Sequence, residues 1–381
     1  MRTIVVEGWR LIPHSYAMVS QYMCLELLKR SSELVLYHQD VPFCVPRWTR
    51  DASMWASDVA ARIAVIPPPQ PALRPDAVLR MGFPLFLEAD PAAGRTFCWG
   101  TSEFGLVDST AIGGGRSPLA ALSNATAHIV TCSNWAAKGF INSGALASNV
   151  SVVPCGIDPN IFFPAKPEVR AALRRRFGWE SKFVVLNISA MTPNKGIHLA
   201  MRALAGLVDE HPDLVLMLKG SDALYQSGQF AARYFSSLTP TEASKLETRI
   251  QYVGPTLSAA GIAELYQAAD VYLSPYRAEG FNLPVLEAAA CGLPVICTRG
   301  GSTEDFVDDS FALRVNSSLA VSEAGNMTLE PDADHLRQQL QRVVTDSGFR
   351  ELARLAGPSW AHSKFTWAHS VDKLMAVMFP D

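Results

Sequence analysis

The chain has 381 residues, of which 49% are hydrophobic, 18% charged and 9% aromatic, and its formal net charge is −3. That composition excludes disordered and collagen-like classes, and the length exceeds the roughly 250 to 300 residues at which one hydrophobic core stops growing, so two domains are expected. Lysines and arginines are scattered and form no basic stripe, which argues against nucleic acid as a partner.

The opening MRTIVVEGW enters a strand directly, without the basic start and apolar core of a signal peptide. No run of roughly 18 apolar residues occurs, so no bilayer span is predicted. Seven cysteines (Cys24, Cys44, Cys98, Cys132, Cys155, Cys291, Cys297) include no CxxC pair and read as reduced, buried small residues. These features predict a cytoplasmic protein whose membrane contact is at most peripheral, at the inner face.

RTIVVEG reads as the first strand and HSYAMVSQYMCLELLKR as a helix, with Tyr16, Val19, Met23 and Leu27 at helical spacing. ELVLYHQ, ARIAVIP, AVLRMG, RTFCWG, HIVTCS and VSVVPCG follow as expected strands, separated by the proline-rich IPPPQPALRP and the glycine-rich GGGRSP. Pro154, Pro159, Pro164 and Pro167 then mark an aperiodic interdomain connection. Beyond it, KFVVLNISA, LVLMLKG, IQYVG, DVYLSPY and LPVICTR alternate as strands with the helical KGIHLAMRALAGLVDE, SAAGIAELYQAA and LPVLEAAACG. Such alternation implies parallel sheets with crossover helices on both faces, hence two Rossmann-like α/β domains with ligands at the carboxyl ends of their strands. FTWAHSVDKLMAVMFP is read as a final amphipathic helix.

The segment RAEGFNLPVLEAAACG carries most of the chemical signal. A strand ends, a turn follows, and a helix opens with Pro284 in its first turn, so backbone N–H groups from Gly280 to Leu283 meet the positive end of a helix dipole, a natural seat for phosphate. Glu287 lies inside an otherwise apolar helix, where an unpaired carboxylate costs several kcal/mol, on the order of its desolvation. Its partner is either a ligand hydroxyl, such as a ribose, or a protein Arg or Ser. Glu279 precedes the helix, where a carboxylate gains from the dipole with or without a ligand. Lys195 and Gly196 open another helix, where a cation is disfavoured unless an anion intervenes; a solvated lysine is the ordinary alternative. Gly300-Gly301 forms a turn, with Ser302 and Thr303 expected to cap a short helix ahead of Glu304. Asp332-Ala333-Asp334 matches a DxD metal pattern but opens a helix, so capping is expected and no metal site is assigned.

RAEGFNLPVLEAAACGLPVICTRGG, with two glutamates separated by seven residues ahead of a Gly-x-Pro-Val and a Gly-Gly turn, resembles the signature of retaining glycosyltransferases of family 4, the group 1 glycosyl transferases. PNKGIHLAMRAL, YQAADVYLSPY and VVPCGIDPNIFFP are similar to further segments of that family, and the resemblance spans roughly residues 128 to 376. It implies a GT-B fold, two Rossmann-like doubly wound domains facing a central cleft: 1–163 binds the acceptor, 164–361 binds the nucleotide sugar, and a helix within 362–381 returns to the first domain. It further implies that Glu279 touches the donor sugar, that Glu287 holds the nucleotide ribose, and that Asn194, Lys195, Gly280, Phe281, Asn282 and Leu283 hold the rest of a UDP- or GDP-linked donor. No metal or cofactor is implied. The acceptor would be a hydroxyl of a saccharide, a lipid-linked saccharide or a small molecule. Two further residues are candidate catalytic groups: His14, which either faces donor or acceptor or is an ordinary polar residue at a helix start, and Glu103, which closes a strand on the acceptor side.

The chain departs from the family pattern at two places. Ala190 stands where the family usually carries a phosphate-binding arginine, with Arg10, Arg299 and Lys219 as candidate replacements, and EGWRLIPHSYA stands where a Gly-Gly loop is usual. A non-catalytic nucleotide-sugar-binding homologue and a nucleotide-sugar epimerase are the alternative readings.

Overall fold

The structure is a computed structural model that describes residues 1–323 and 325–380. Its chain divides into two compact units, residues 1–156 with 365–381, and residues 157–364.

In the first unit β1 (Arg2–Gly8), β2 (Leu34–Asp40), β3 (Ala77–Met81), β4 (Arg95–Trp99), β5 (His128–Thr131) and β6 (Val150–Val152) form one parallel sheet in the order β2-β1-β3-β4-β5-β6. Helices α1 (Ser15–Leu28), α2 (Ser57–Ala64), α3 (Pro118–Ser123) and α4 (Asn134–Asn142) connect the strands. Ten of the fourteen residues of α1 are buried, as expected for a helix that is apolar around most of its circumference. ARIAVIP, expected as a strand, instead belongs largely to α2. Ile63 and Ile66 are buried at a spacing of three while Val65 is 76% exposed, so the apolar pattern serves a helical period and not alternation.

The second unit holds β7 (Phe183–Ile188), β8 (Leu214–Lys219), β9 (Ile250–Val253), β10 (Val271–Ser274), β11 (Val295–Thr298) and β12 (Ala312–Val315), all parallel, in the order β12-β11-β10-β7-β8-β9. Strand order reverses between β7 and β10, the point at which doubly wound sheets bind ligands beyond their carboxyl ends. Helix α5 (Pro167–Phe177) begins within the segment read as aperiodic connection: Pro167 starts the helix, and Gly178, with φ 69°, ends it. Then come α6 (Ile197–Ala205), α7 (Asp222–Tyr225), α8 (Ser227–Ser236), α9 (Pro240–Leu246), α10 (Ala259–Ala268) and α11 (Leu283–Ala290). An antiparallel hairpin, β13 (Ser317–Val321) and β14 (Met327–Pro331), precedes α12 (Ala333–Thr345) and α13 (Ser347–Lys364).

The last helix, α14 (Trp367–Met378), belongs to the first unit. Trp367 stacks on Tyr22 of α1 at 5.0 Å and 6°, Asp372 pairs with Arg30, and a Cβ on Gly156 would lie 2.3 Å from the carbonyl carbon of Thr366. Six of the seven free cysteines are buried; Cys44, expected buried, is exposed. Among the described residues no helix is long and apolar enough to cross a membrane.

Candidate functional site

The turn between β10 and α11 is built so that its side chains serve the protein. Asn282 adopts the left-handed conformation, φ 72°, which asparagine tolerates better than most residues, and its Nδ2 donates to Ser274 Oγ at 2.9 Å. Phe281 stacks on Phe306 at 4.7 Å. No side chain caps α11, and Pro284 occupies its first turn. Backbone at the positive end of the helix is what this turn offers a ligand.

Lys195 sits in the 3₁₀ turn Pro193–Lys195, and its ammonium pairs with Glu279 at 2.9 Å, both side chains being 13% exposed. The anion that the sequence demanded beside Lys195 is therefore present within the protein, and the solvated-lysine alternative is excluded. Asn194 fixes the two segments: its Nδ2 donates to the Ala278 carbonyl at 2.9 Å, its carbonyl accepts the Arg277 N–H at 2.7 Å, and its Oδ1 accepts from Thr192 at 2.7 Å. Gly196 makes the approach possible. Its φ is 68°, and a Cβ there would lie 2.0 Å from the Pro275 carbonyl oxygen.

Glu287 follows Leu283 by four residues and so lies one turn along the same face of α11. It is 6% exposed, and Tyr266 Oη donates to its Oε2 at 2.9 Å. The partner is a protein side chain of a type not foreseen, neither Arg nor Ser, and a tyrosine in ELYQAAD gives little sequence signal of that role. Burial pushes the Glu287 carboxyl up to about 7, opposed by the Tyr266 hydrogen bond, and pushes the Tyr266 phenol well above its usual range. A carboxylate offers about four lone-pair positions, and one phenol fills one of them.

Two sequence expectations need correction, the caps at Ser302 and Thr303. Thr303 does not cap: its hydroxyl meets Tyr276 Oη at 2.8 Å, while Glu304 instead accepts the Gly300 N–H at 3.0 Å and Ser302 Oγ is buried without a partner among the described residues. Tyr276 leaves no room for a side chain at Gly301, whose Cβ would lie 2.5 Å from the phenol oxygen. Of the candidates to replace an arginine at position 190, Arg10 is bidentate to Asp40 at 2.7 Å and donates to the carbonyls of Ile63, Ala64 and Ile66. Asp332 does cap α12, accepting the His335 N–H at 2.9 Å. Arg299 is exposed, whereas Lys219 is 4% exposed at the end of β8.

The remaining two candidates lie in the first unit, beyond the ends of its strands. His14 caps α1 by accepting the Tyr16 N–H on Nδ1 at 3.2 Å, and packs against Trp9 at 5.0 Å and Trp48 at 5.1 Å. Burial lowers its pKa to about 4, so the imidazole is neutral at pH 7. Glu103 lies in the loop after β4, and its carbonyl accepts the Trp135 indole N–H at 2.8 Å. Burial pushes the Tyr16 phenol up, and the nearby Glu103 charge adds to that shift.

Residues 182–346, which contain Lys195, Glu279 and Glu287, match the family model described as "Glycosyl transferases group 1". Over that segment the chain is similar to the group 1 glycosyl transferases. The chain is 23% identical over 364 residues to a GDP-mannose-dependent monoacylated alpha-(1-6)-phosphatidylinositol monomannoside mannosyltransferase of Corynebacterium glutamicum, covering 92% of this chain and 87% of that one. It is 29% identical over 230 residues to a D-inositol 3-phosphate glycosyltransferase of Stackebrandtia nassauensis, covering 59% of this chain and 47% of that one. Among solved structures, Anabaena HepE in complex with UDP and glucose superposes with a TM-score of 0.71 at 16% identity, over 99% of each chain. WaaG, a glycosyltransferase involved in lipopolysaccharide biosynthesis, superposes at 0.64 over 100% of each chain, with 14% identity. The shared fold is GT-B, two Rossmann-like domains in one chain.

Proposed function

We propose that this glycosyltransferase transfers a sugar, with retention at the anomeric carbon and without a metal, from a UDP- or GDP-linked donor to a hydroxyl of a saccharide, lipid-linked saccharide or small-molecule acceptor. The observation that carries the reading is the Lys195–Glu279 pair beside the uncapped start of α11, with the buried Glu287 one turn along that helix. Asn194 keeps the Lys195 turn and the strand-to-helix loop in register. Lys195 and the backbone from Gly280 to Leu283 hold the diphosphate; Glu287 accepts from the ribose hydroxyls; Glu279, oriented by Lys195, contacts the sugar near its reacting carbon.

In the reaction the bond from the anomeric carbon to the phosphate oxygen breaks and one to the acceptor oxygen forms on the same face. The departing phosphate oxygen takes the acceptor's proton. Charge grows on the diphosphate, where the helix start and the ammonium stabilise it. The acceptor belongs to the first unit, with His14 and Glu103 on its side. The Corynebacterium relative is named for GDP-mannose and HepE was solved with UDP, which supports a nucleotide donor while leaving the base open between the two.

Ala190, in place of the family arginine, favours one competing reading, a protein that binds nucleotide sugars without turnover. Incubating the purified protein with a panel of UDP- and GDP-sugars and following slow donor hydrolysis separates the two. Hydrolysis that disappears in Glu279→Ala supports transfer; tight nucleotide binding with no turnover of any donor, with and without an acceptor panel, supports the binding module.

A further inference from the structure

A buried ammonium stands one strand away from the Lys195 turn. Lys219 ends β8, in register with Ile188 at the end of β7, and its carbonyl accepts the Ser189 N–H at 3.0 Å. The segment after β7 and the segment after β8 are tied by Ser227. Its hydroxyl donates to the Ala190 carbonyl at 2.8 Å and accepts the Ser221 N–H at 2.9 Å. Gly220 is packed so closely that a Cβ would lie 2.4 Å from Tyr252 Oη and 2.5 Å from Ser227 Cβ. Position 190, where the arginine is absent, and Lys219 therefore share one knot of backbone at the carboxyl ends of adjacent strands, the ligand end of the sheet.

Lys219 is 4% exposed and carries three N–H donors. Among the described residues its ammonium makes one hydrogen bond, to the neighbouring Gly220 carbonyl, and no ion pair with a carboxylate. Asp222, whose charge reaches Lys219, accepts Gly228 N–H at 2.8 Å and Tyr252 Oη at 2.6 Å on its Oδ1 and forms no ion pair with the lysine. A buried cation without a partner carboxylate is costly unless an anion completes it. Burial already lowers its pKa to about 8, which still leaves it mostly protonated at pH 7.

We infer that Lys219 is the second cation on the donor diphosphate, supplying from β8 the charge that an arginine at position 190 would supply from the end of β7. The inference rests on the nucleotide-sugar reading above. It extends the phosphate site over three adjacent strand ends: Lys219 after β8, Lys195 after β7, and Glu279 with the helix start after β10.

The test uses the full chain. Acetylation of lysines by acetic anhydride, read by mass spectrometry, is compared with and without UDP or GDP and with the matching nucleoside. Both Lys195 and Lys219 should be protected severalfold by the diphosphate and not by the nucleoside. In titrations, Lys219→Met should weaken diphosphate binding about 10- to 100-fold, as expected for one charge-assisted contact, with nucleoside affinity unchanged and Lys219→Arg restoring most of the loss. Parental diphosphate affinity in Lys219→Met, or protection of Lys195 alone, overturns the assignment while leaving the donor site intact. If neither lysine is protected and no diphosphate binds the parent, the donor-site reading itself fails, and the inference with it.

Discussion

The two units both end six parallel strands at a ligand edge, but they furnish that edge differently. In the second unit the strand ends carry charge: Lys195 against Glu279, Lys219 buried, and Glu287 within α11. In the first unit they carry rings. Trp9, His14 and Trp48 pack mutually at 5.0 to 5.8 Å, Tyr16 meets Trp99 edge to face at 4.9 Å, and the indole N–H groups of Trp48 and Trp99 are buried without a partner among the described residues. The Arg10 guanidinium in that neighbourhood is consumed by Asp40, which also pairs with Arg50 at 2.8 Å. Charges suit a diphosphate, which varies little from donor to donor; edge-packed rings with spare donors suit an uncharged hydroxyl-bearing ligand.

The largest effect expected from breaking this contrast is at Glu279. Glu279→Ala should lower kcat by about 100- to 1000-fold, in the range found when one electrostatic contact to a transition state is deleted, with nucleotide affinity nearly unchanged. Steady-state kinetics beside calorimetric titration checks this; a collapse of affinity with kcat preserved would move Glu279 to a purely binding role.

Next comes the backbone beneath each edge. Gly196→Ala must accommodate φ 68° and a Cβ 2.0 Å from a carbonyl oxygen, and should cost ~2–4 kcal/mol in denaturant unfolding. Gly114→Ala in the first unit has a similar φ, 78°, with open space around it, and should cost only about 1 kcal/mol.

Glu287 gives a smaller, pH-dependent effect. Its folded pKa of about 7 exceeds the ordinary 4.5, so the folded state holds a proton that the unfolded state has released between those values. Stability from this group is therefore greatest below about pH 4.5, falls as pH rises to about 7, and is level above. Ribose hydroxyls donate to the ionised form, so nucleotide affinity should rise about 10-fold from pH 6 to pH 8, one to two units of titration around that pKa. Glu287→Gln should flatten the profile. His14→Gln is the mildest change: acceptor kcat/KM should fall severalfold while donor hydrolysis without acceptor is unaffected. Because the His14 pKa is lowered to about 4, the pH-rate profile should show no imidazole step between pH 5.5 and 8.

How far the sequence could be read follows the same division. The strands of the second unit are continuous apolar runs flanked by turn residues, and β7, β8, β10 and β11 appear where VVLNI, LVLMLK, VYLS and VICT predict them. The EGFNLP turn announces an anion-friendly helix start because Pro284 and two flanking glutamates leave few alternatives. The Lys195–Glu279 pair was not legible, since it depends on a loop crossing that Asn194 and Gly196 make at long range. Tyr266 as the partner of Glu287 was hidden for the same reason: 21 residues of chain separate them. In the first unit, ARIAVIP misled because buried residues three apart can also be read as alternating over so short a run. The β13–β14 hairpin is not predicted: Leu319 and Val321 of β13 are exposed, and the buried Leu329 and Pro331 of β14 are too short a pattern to read as a strand.

On the proposed reading, the α11 start and Glu287 together form a nucleotide site in which Glu287 holds the ribose. A double-mutant cycle tests it most directly: binding of UDP or GDP and of its 2′,3′-dideoxy analogue to the parent and to Glu287→Ala, measured by calorimetry at pH 8. The expected result is a loss of about 10-fold for either change alone, with little further loss when both are made, because the two deletions remove the same hydrogen bonds. Fully additive losses, or parental affinity of Glu287→Ala for the intact nucleotide, would contradict it.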